Sequence, residues 1–194
     1  MDAEEQLESI AEVASLGLEV WLRGGWAMDF FLGRVTRPHL DVDWFVWAPD
    51  AGRLSAALTS RGYELLPEPP HDRQLDFARG GLDLSFALIT RDSAGDVTVA
   101  GGPWAGQRWP GGMLDWPAGR IGAVRCPIIS PFAQIEIKRM MPVWVPGMPR
   151  RAKDAADIAT LETALGHLGA ADPGTTVTPT PRPARDTGRG RGPA

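Results

Sequence analysis

Asp41 and Asp43 stand two residues apart at the start of Asp41-Val42-Asp43-Trp44-Phe45-Val46-Trp47, a run rich in β-forming residues. On a strand, that spacing sends both side chains to one face, so two carboxylates project into the same space. Like charges held so close repel, and a cation or a proton must compensate. Magnesium suits the task, because it takes a couple of carboxylates together with phosphate oxygens. Read alone, the pair fits better as two solvent-facing aspartates on an edge strand. The upstream Gly24-Gly25 changes that balance. Glycines between a strand and a helix let backbone approach a ligand closely, and the helix N-terminus behind them favours anions. A triphosphate resting there would bring its oxygens near metals held by Asp41 and Asp43. A third carboxylate is then wanted, as a general base or to complete a second metal site. Asp83, in Gly81-Leu82-Asp83-Leu84-Ser85-Phe86, is the best candidate. It shares a strand with Leu82 and Leu84 but faces the opposite side, where burial without a metal or donor would be expensive. Asp76, one strand earlier, competes for the role.

The elements that must position these groups follow from periodicity and punctuation. Residues 4–17 have a rough helical period through Leu7, Ile10 and Ala14, and Gly17 stops it. Residues 18–22 alternate as a short strand and end at the Gly24-Gly25 turn. A helix over 26–32 ends at Gly33, and a polar loop, 34–40, leads into the strand 41–47. A helix is predicted over 51–61, a short strand over 63–66, and a hairpin of 74–78 with 82–89 around Gly80-Gly81. Residues 92–120, dominated by glycine, proline and tryptophan, are predicted to be loop with short strands at most. A strand over 121–129, a helix from Pro131 to about 141, and a helix over 154–167 complete the pattern. Trp104, Trp109 and Trp116 could stack on a base or an acceptor ring, or pack in the core.

The chain has 194 residues, 43% hydrophobic, which suits one domain with a small helical appendage. We place that domain at 1–170, its C-terminal helical part starting near 131. Residues 171–194 form a Pro/Thr/Gly/Arg tail expected to be disordered. A net charge of −4 argues against a broad nucleic-acid or anionic-membrane surface. The single cysteine, Cys126, excludes an intrachain disulfide and reads as a buried thiol. Without a signal-like N-terminus or an apolar run near the roughly 20 residues of a membrane span, a cytoplasmic protein is expected.

Leu22-Arg23-Gly24-Gly25-Trp26-Ala27-Met28-Asp29, followed by Leu32-Gly33-Arg34-Val35-Thr36-Arg37-Pro38-His39-Leu40-Asp41-Val42-Asp43, resembles the signature of antibiotic nucleotidyltransferases. These are the aminoglycoside 2''- and lincosamide nucleotidyltransferases of the DNA polymerase β-like superfamily. A second patch, Cys126 to Gln134 and then Arg150 to Ile158, is similar to the family's later segment, which ends in a K-D-x-x-D helix. The resemblance covers roughly residues 10–168. It implies an α+β, polymerase β-like nucleotidyltransferase fold: a mixed sheet packed by helices, with C-terminal helices. It also implies attack by a substrate hydroxyl on the α-phosphorus of a nucleoside triphosphate, ATP being expected, with two magnesium ions and release of pyrophosphate. Carried over by position, Asp41 and Asp43 would bind metal, and Asp83 would complete the metal site and act as general base. Gly24 and Gly25 would cradle phosphate. Lys153, within the matched patch, and Lys138 would neutralise the triphosphate. Asp29 is expected to pair with Arg34 or Arg37, and His39 to hold the loop.

Many superfamily members carry serine after the first glycine; Gly25-Trp26 stands here, as in the antibiotic subgroup. Residues 92–120 carry neither of the two patches of the resemblance, and they fall where acceptor specificity would be decided. The expected partner is a small-molecule hydroxyl acceptor, an aminoglycoside or lincosamide. Alternatives are a toxin-like enzyme acting on a protein or tRNA, and a lapsed nucleotide-binding domain. Retention of all three aspartates counts against the last.

Overall fold

The structure, a computed structural model, describes residues 2–171. The predicted tail therefore lies, beyond Ala171, outside the described residues. Helix α1 (Ala3–Ala14) opens on Asp2, whose side chain accepts hydrogen bonds from the Glu4 and Glu5 amides at 2.7 and 3.1 Å and so caps two donors with no intrahelical partner. Ile10 and Val13 face the core. The helix ends at Ala14 rather than Gly17, its last carbonyls closed by Ser15 and Leu16.

Strand β1 (Val20–Leu22) leads into α2 (Gly24–Leu32), which is followed by β2 (Val42–Trp47), a short 3-10 turn and α3 (Ala51–Thr59). Next come β3 (Glu64–Leu65), β4 (Gln74–Arg79), β5 (Leu82–Arg91) and β6 (Val97–Val99). After a 3-10 turn at 102–104, β7 (Gly119–Ile121), β8 (Val124–Cys126), α4 (Pro131–Trp144) and α5 (Ala152–Ala171) complete the order. The main sheet runs β1-β2-β5-β4-β3, with β6 beside the end of β5. The β2–β5 pair is parallel and the others are antiparallel, which makes the expected mixed sheet.

One face of that sheet carries the main core, and Phe45 on the other face is buried as well. Val42, Trp44 and Val46 alternate with Asp43, Phe45 and Trp47, and on β5 Leu82, Leu84, Phe86 and Leu88 alternate with Asp83, Ser85 and Ala87. Trp44 and Phe86, partners in the register, stack with ring centroids 5.9 Å apart, and Phe77 meets Phe86 edge-on at 5.8 Å. A smaller cluster of Met28, Ile135 and Leu161 fastens α4 and α5 to α2. It therefore fixes the middle of α5 relative to α2 and α4.

Three expectations shift. Helix α2 begins at Gly24, not Trp26, so both glycines lie inside its first turn. The strand expected over 121–129 is a β7–β8 hairpin turning at Gly122, followed by 127–129 running beside β1: the Leu22 amide donates to the Pro127 carbonyl and the Ile129 amide to the Leu22 carbonyl. Helix α4 continues past Met141 through Pro142. Cys126 is buried, and desolvation pushes its thiol pKa up, as an inert structural cysteine requires.

Candidate active site

The strand registers draw one polar row across the sheet. Leu22 of β1 pairs with Trp44, and the next residue, Arg23, donates its amide to the Asp43 carbonyl at 2.9 Å. Asp43 is opposite Ser85 in the parallel pair, and Ser85 is opposite Asp76 in the hairpin. Cross-strand partners project to the same side. Arg23, Asp43, Ser85 and Asp76 therefore line up on the face opposite the core. Asp41 and Asp83, each two residues earlier than a member of the row, continue that face toward the starts of their strands.

At the β4 end the polar groups are satisfied among themselves. Ser85 Oγ donates to Asp76 Oδ1 at 2.5 Å, while Gln74 Nε2 donates to that same oxygen at 2.9 Å and to Ser85 Oγ at 2.8 Å. Asp76 is thus tied down, whereas Asp83 is exposed. Among the described residues, no group of three His, Cys, Asp or Glu side chains is gathered closely enough to hold a metal ion. Asp41, Asp43 and Asp83 share a face without converging on one point.

At the β1 end the two glycines make room for side chains of the protein itself. A Cβ on Gly24, which has φ +68°, would lie 2.6 Å from Asp43 Oδ2. The Asp43 carboxylate thus rests against the first turn of α2, where unpaired amides and the helix dipole favour negative charge. A Cβ on Gly25 would fall 2.4 Å from His39 Nδ1 and 2.9 Å from the Arg37 guanidinium. The close approach is to Asp43 and His39, two residues of the very loop and strand that carry Asp41.

That loop is pinned from below. Asp29, fully buried, accepts from the Thr36 amide at 3.0 Å and from the Thr36 hydroxyl, and meets His39 Nε2 at 2.7 Å. Arg37 Nη1 lies 3.1 Å from His39 Nδ1. Arginine only donates, so Nδ1 is the acceptor and Nε2 carries the proton given to Asp29. Trp26 covers the imidazole at 4.7 Å. The expected Asp29–Arg34 or Asp29–Arg37 pair is thus replaced by Thr36 and His39. Two closer donors outcompete the long arginines, and His39 holds the loop as anticipated.

Arg37 turns instead to Asp157 of α5, at 3.1 Å, which also accepts from Lys138 Nζ of α4 at 2.8 Å. Burial opposes ionisation of Asp157, but the hydrogen bonds and charges of Lys138 and Arg37 prevail and hold its carboxyl below the usual carboxylate range. Lys138 also stands 3.8 Å from Asp154. Its ammonium is thereby committed to the internal junction of α4, α5 and the loop.

The start of α5 faces the aspartates. Desolvation first, and the neighbouring Asp43 charge second, push the Asp41 carboxyl above its ordinary value; Lys153 pulls the other way. Arg151 is held by Asp154 through bonds of 2.7 and 3.0 Å, and that bond, opposed by desolvation and aided by the Asp43 charge among others, raises its pKa. Lys153, from the sequence expectation, and Arg151, which it passed over, thus lie within electrostatic reach of the pair. Arg23 was also passed over, although it sits inside the motif. Of the tryptophans, Trp109 packs edge-on against Phe45 at 5.0 Å, and Trp116 lies between Phe31 and Phe132. Both pack against the protein.

A mixed sheet packed by helices, with further helices after it, is the polymerase β-like nucleotidyltransferase fold. The solution structure of the antibiotic-resistance factor ANT(2'')-Ia superposes with a TM-score of 0.68 at 23% identity, covering 88% of this chain and 89% of that one. The lincosamide antibiotic adenylyltransferase LnuA, in its lincomycin-bound crystal structure, gives 0.65 at 19% identity over 84% and 98%. The sequence profile of the aminoglycoside-2''-adenylyltransferase family matches residues 7–161, and the chain belongs to that family. A 2''-aminoglycoside nucleotidyltransferase of Escherichia coli is 37% identical over 59 residues, 30% of this chain and 33% of that protein. One of Klebsiella pneumoniae matches to the same extent. The aligned stretch thus spans about a third of these curated relatives.

Proposed function

We propose that this protein transfers the adenylyl group of ATP to a hydroxyl of an aminoglycoside, with a lincosamide as the other acceptor to be tried. The single observation that carries the reading is the placement of the Asp43 carboxylate against Gly24 at the first turn of α2, with Asp41 two residues before it. Two carboxylates in mutual repulsion at a helix N-terminus fit a divalent cation, and Asp41 and Asp43 are the residues that would hold magnesium. When bound, it would neutralise phosphate oxygens and the leaving pyrophosphate.

The chain's own groups supply the rest. Asp83, exposed on the adjacent strand, takes the proton of the acceptor hydroxyl. The hydroxyl oxygen forms the new bond to the α-phosphorus. The bond from that phosphorus to the β-bridging oxygen breaks, and its electron pair leaves with pyrophosphate. In-line displacement puts acceptor and leaving group on opposite sides. Asp83 and Asp76 place the acceptor over β5 and β4, and the turn at Gly24 places the pyrophosphate over β1 and α2. The carboxylates of the acceptor side suit the ammonium groups of an aminoglycoside. Lys153 balances triphosphate charge from the start of α5.

The test is pyrophosphate release from each of the four nucleoside triphosphates with magnesium, offered tobramycin, lincomycin or tRNA. Release with ATP and tobramycin, with adenylylated tobramycin identified by mass, is the expected result. If only tRNA supports turnover the acceptor class is wrong, and release with none sinks the reading.

A further inference from the structure

Arg23 lies directly opposite Asp43 across the β1–β2 pair, where opposite charges ordinarily attract and close. They do not close here. Among the described residues Arg23 makes no ion pair and donates no side-chain hydrogen bond. Its guanidinium carbon instead stands 4.8 Å over the ring of Phe45, two residues beyond Asp43 on the same face. Phe45 is itself completely buried and braced by Trp109. The neighbouring cations are otherwise engaged: Arg37 and Lys138 by Asp157, and Arg151 by Asp154.

Stacking on an aromatic face holds a guanidinium by its π-surface and leaves the planar fork of N–H donors at its edge unused. That fork matches two oxygens of one phosphate. It belongs to the residue preceding Gly24, at the opening of α2, and lies over Phe45 on the side of the sheet to which the leaving group has just been assigned. Leaving Asp43 unpaired also keeps that carboxylate available for a cation.

We propose that Arg23 contacts the β- and γ-phosphates of the triphosphate, and so neutralises charge on the pyrophosphate as it departs. The proposal rests on the nucleotidyltransferase reading above. It adds a residue to it that belongs to this chain's own row and not to the three aspartates.

Titration calorimetry on the full chain tests it, with magnesium present and with ATP, AMP and inorganic pyrophosphate as separate ligands. The variants are Arg23→Met, which keeps the contact with Phe45 and removes charge and donors, and Arg23→Lys, which keeps the charge but not the fork. We expect Arg23→Met to weaken ATP and pyrophosphate at least about tenfold, the loss of a charged hydrogen bond. AMP should be unchanged and Arg23→Lys intermediate. Thermal melts establish that each variant is folded; if Arg23→Met is not, Arg23→Lys and Arg23→Gln carry the comparison. Equal ATP binding by a folded, uncharged variant overturns the role of Arg23 alone. Parallel loss of AMP assigns Arg23 a structural role and overturns it too. Wild-type protein that binds neither ATP nor pyrophosphate removes the nucleotidyltransferase reading, and the Arg23 assignment with it.

Discussion

Asp43 occupies the space in which a side chain at Gly24 would begin: a Cβ there would meet its Oδ2 at 2.6 Å. Gly24→Ala must therefore displace the carboxylate, and it also forces an L-residue to φ +68°. The backbone cost alone is about 1–2 kcal/mol. We expect a lower melting temperature together with adenylylation reduced to background. An alanine variant with wild-type turnover would show that the Asp43 position is not needed.

Asp41 should trade stability for function. Its carboxyl pKa is raised in the folded protein, so native protein holds that proton more tightly than unfolded chain does. Stability from this group is complete below the unfolded value, falls as pH rises through the raised value, and remains lower at neutral pH. Asp41→Asn should therefore melt higher than wild type at pH 7 without metal, with the advantage vanishing near pH 3. Magnesium should raise the melting temperature of wild type and not of the variant. Scanning calorimetry with and without magnesium decides; a variant less stable at neutral pH would contradict the assigned repulsion.

Gly25 and His39 should be coupled. Gly25→Ala collides with the imidazole, at a cost of about 1–3 kcal/mol for overpacking. His39→Ala deprives buried Asp29 of a donor, at about 1–3 kcal/mol. Combined, they relieve the collision with the ring, and denaturant titration should find the double variant less destabilised than the sum of the two. Strict additivity would contradict the packing.

Asp157 joins three segments, so its loss should be felt far from the sheet face. Asp157→Asn leaves Lys138 with only the longer contact to Asp154 and removes the partner of Arg37, a change of about 1–3 kcal/mol. Because the Asp157 pKa is lowered by folding, its contribution is present above the unfolded value and disappears as pH falls through the folded one. Urea titrations at pH 7 and pH 3 should show a large gap between wild type and variant that shrinks in acid. A gap independent of pH would assign the effect to packing.

Asp83 and Asp76 separate by role. Asp83→Asn should cut turnover by about 100-fold or more, the contribution of a general base, with little change in ATP affinity. Asp76→Asn, whose carboxylate is already bonded to Ser85 and Gln74, should act chiefly on the KM of a cationic acceptor. A larger turnover loss at Asp76 would exchange the two assignments.

Local features of the fold were legible because local rules govern them. The alternation through Val42 to Trp47, and the Gly80-Gly81 hairpin, need only neighbouring residues to be read. So does the opposite facing of Asp83 and Leu84. The start of α2 was not legible, since Arg23 supplies no side-chain cap and paired glycines read as a turn. Strands of three residues, as in the β7–β8 hairpin, are too short for a period to register. The polar row from Arg23 to Asp76 depends on pairing between β2 and β5, about 40 residues apart in sequence, which no local pattern encodes. Likewise Lys138 and Lys153 look alike as letters; only packing shows one drawn into Asp157 and the other left near Asp41.

The parallel pairing of β2 with β5 carries a further consequence. Both strands start at the same edge, so the carboxylates of each arrive there independently of what the chain does between them. Residues 48–81 leave the end of β2 and return to the start of β5 as a closed detour, and β4, which carries Asp76 beside Ser85, belongs to it. Lengthening or recomposing α3 and its loops would remodel the wall made by β4 while Asp43 and Ser85 stayed in register. The start of β2 and that wall can therefore vary independently of one another.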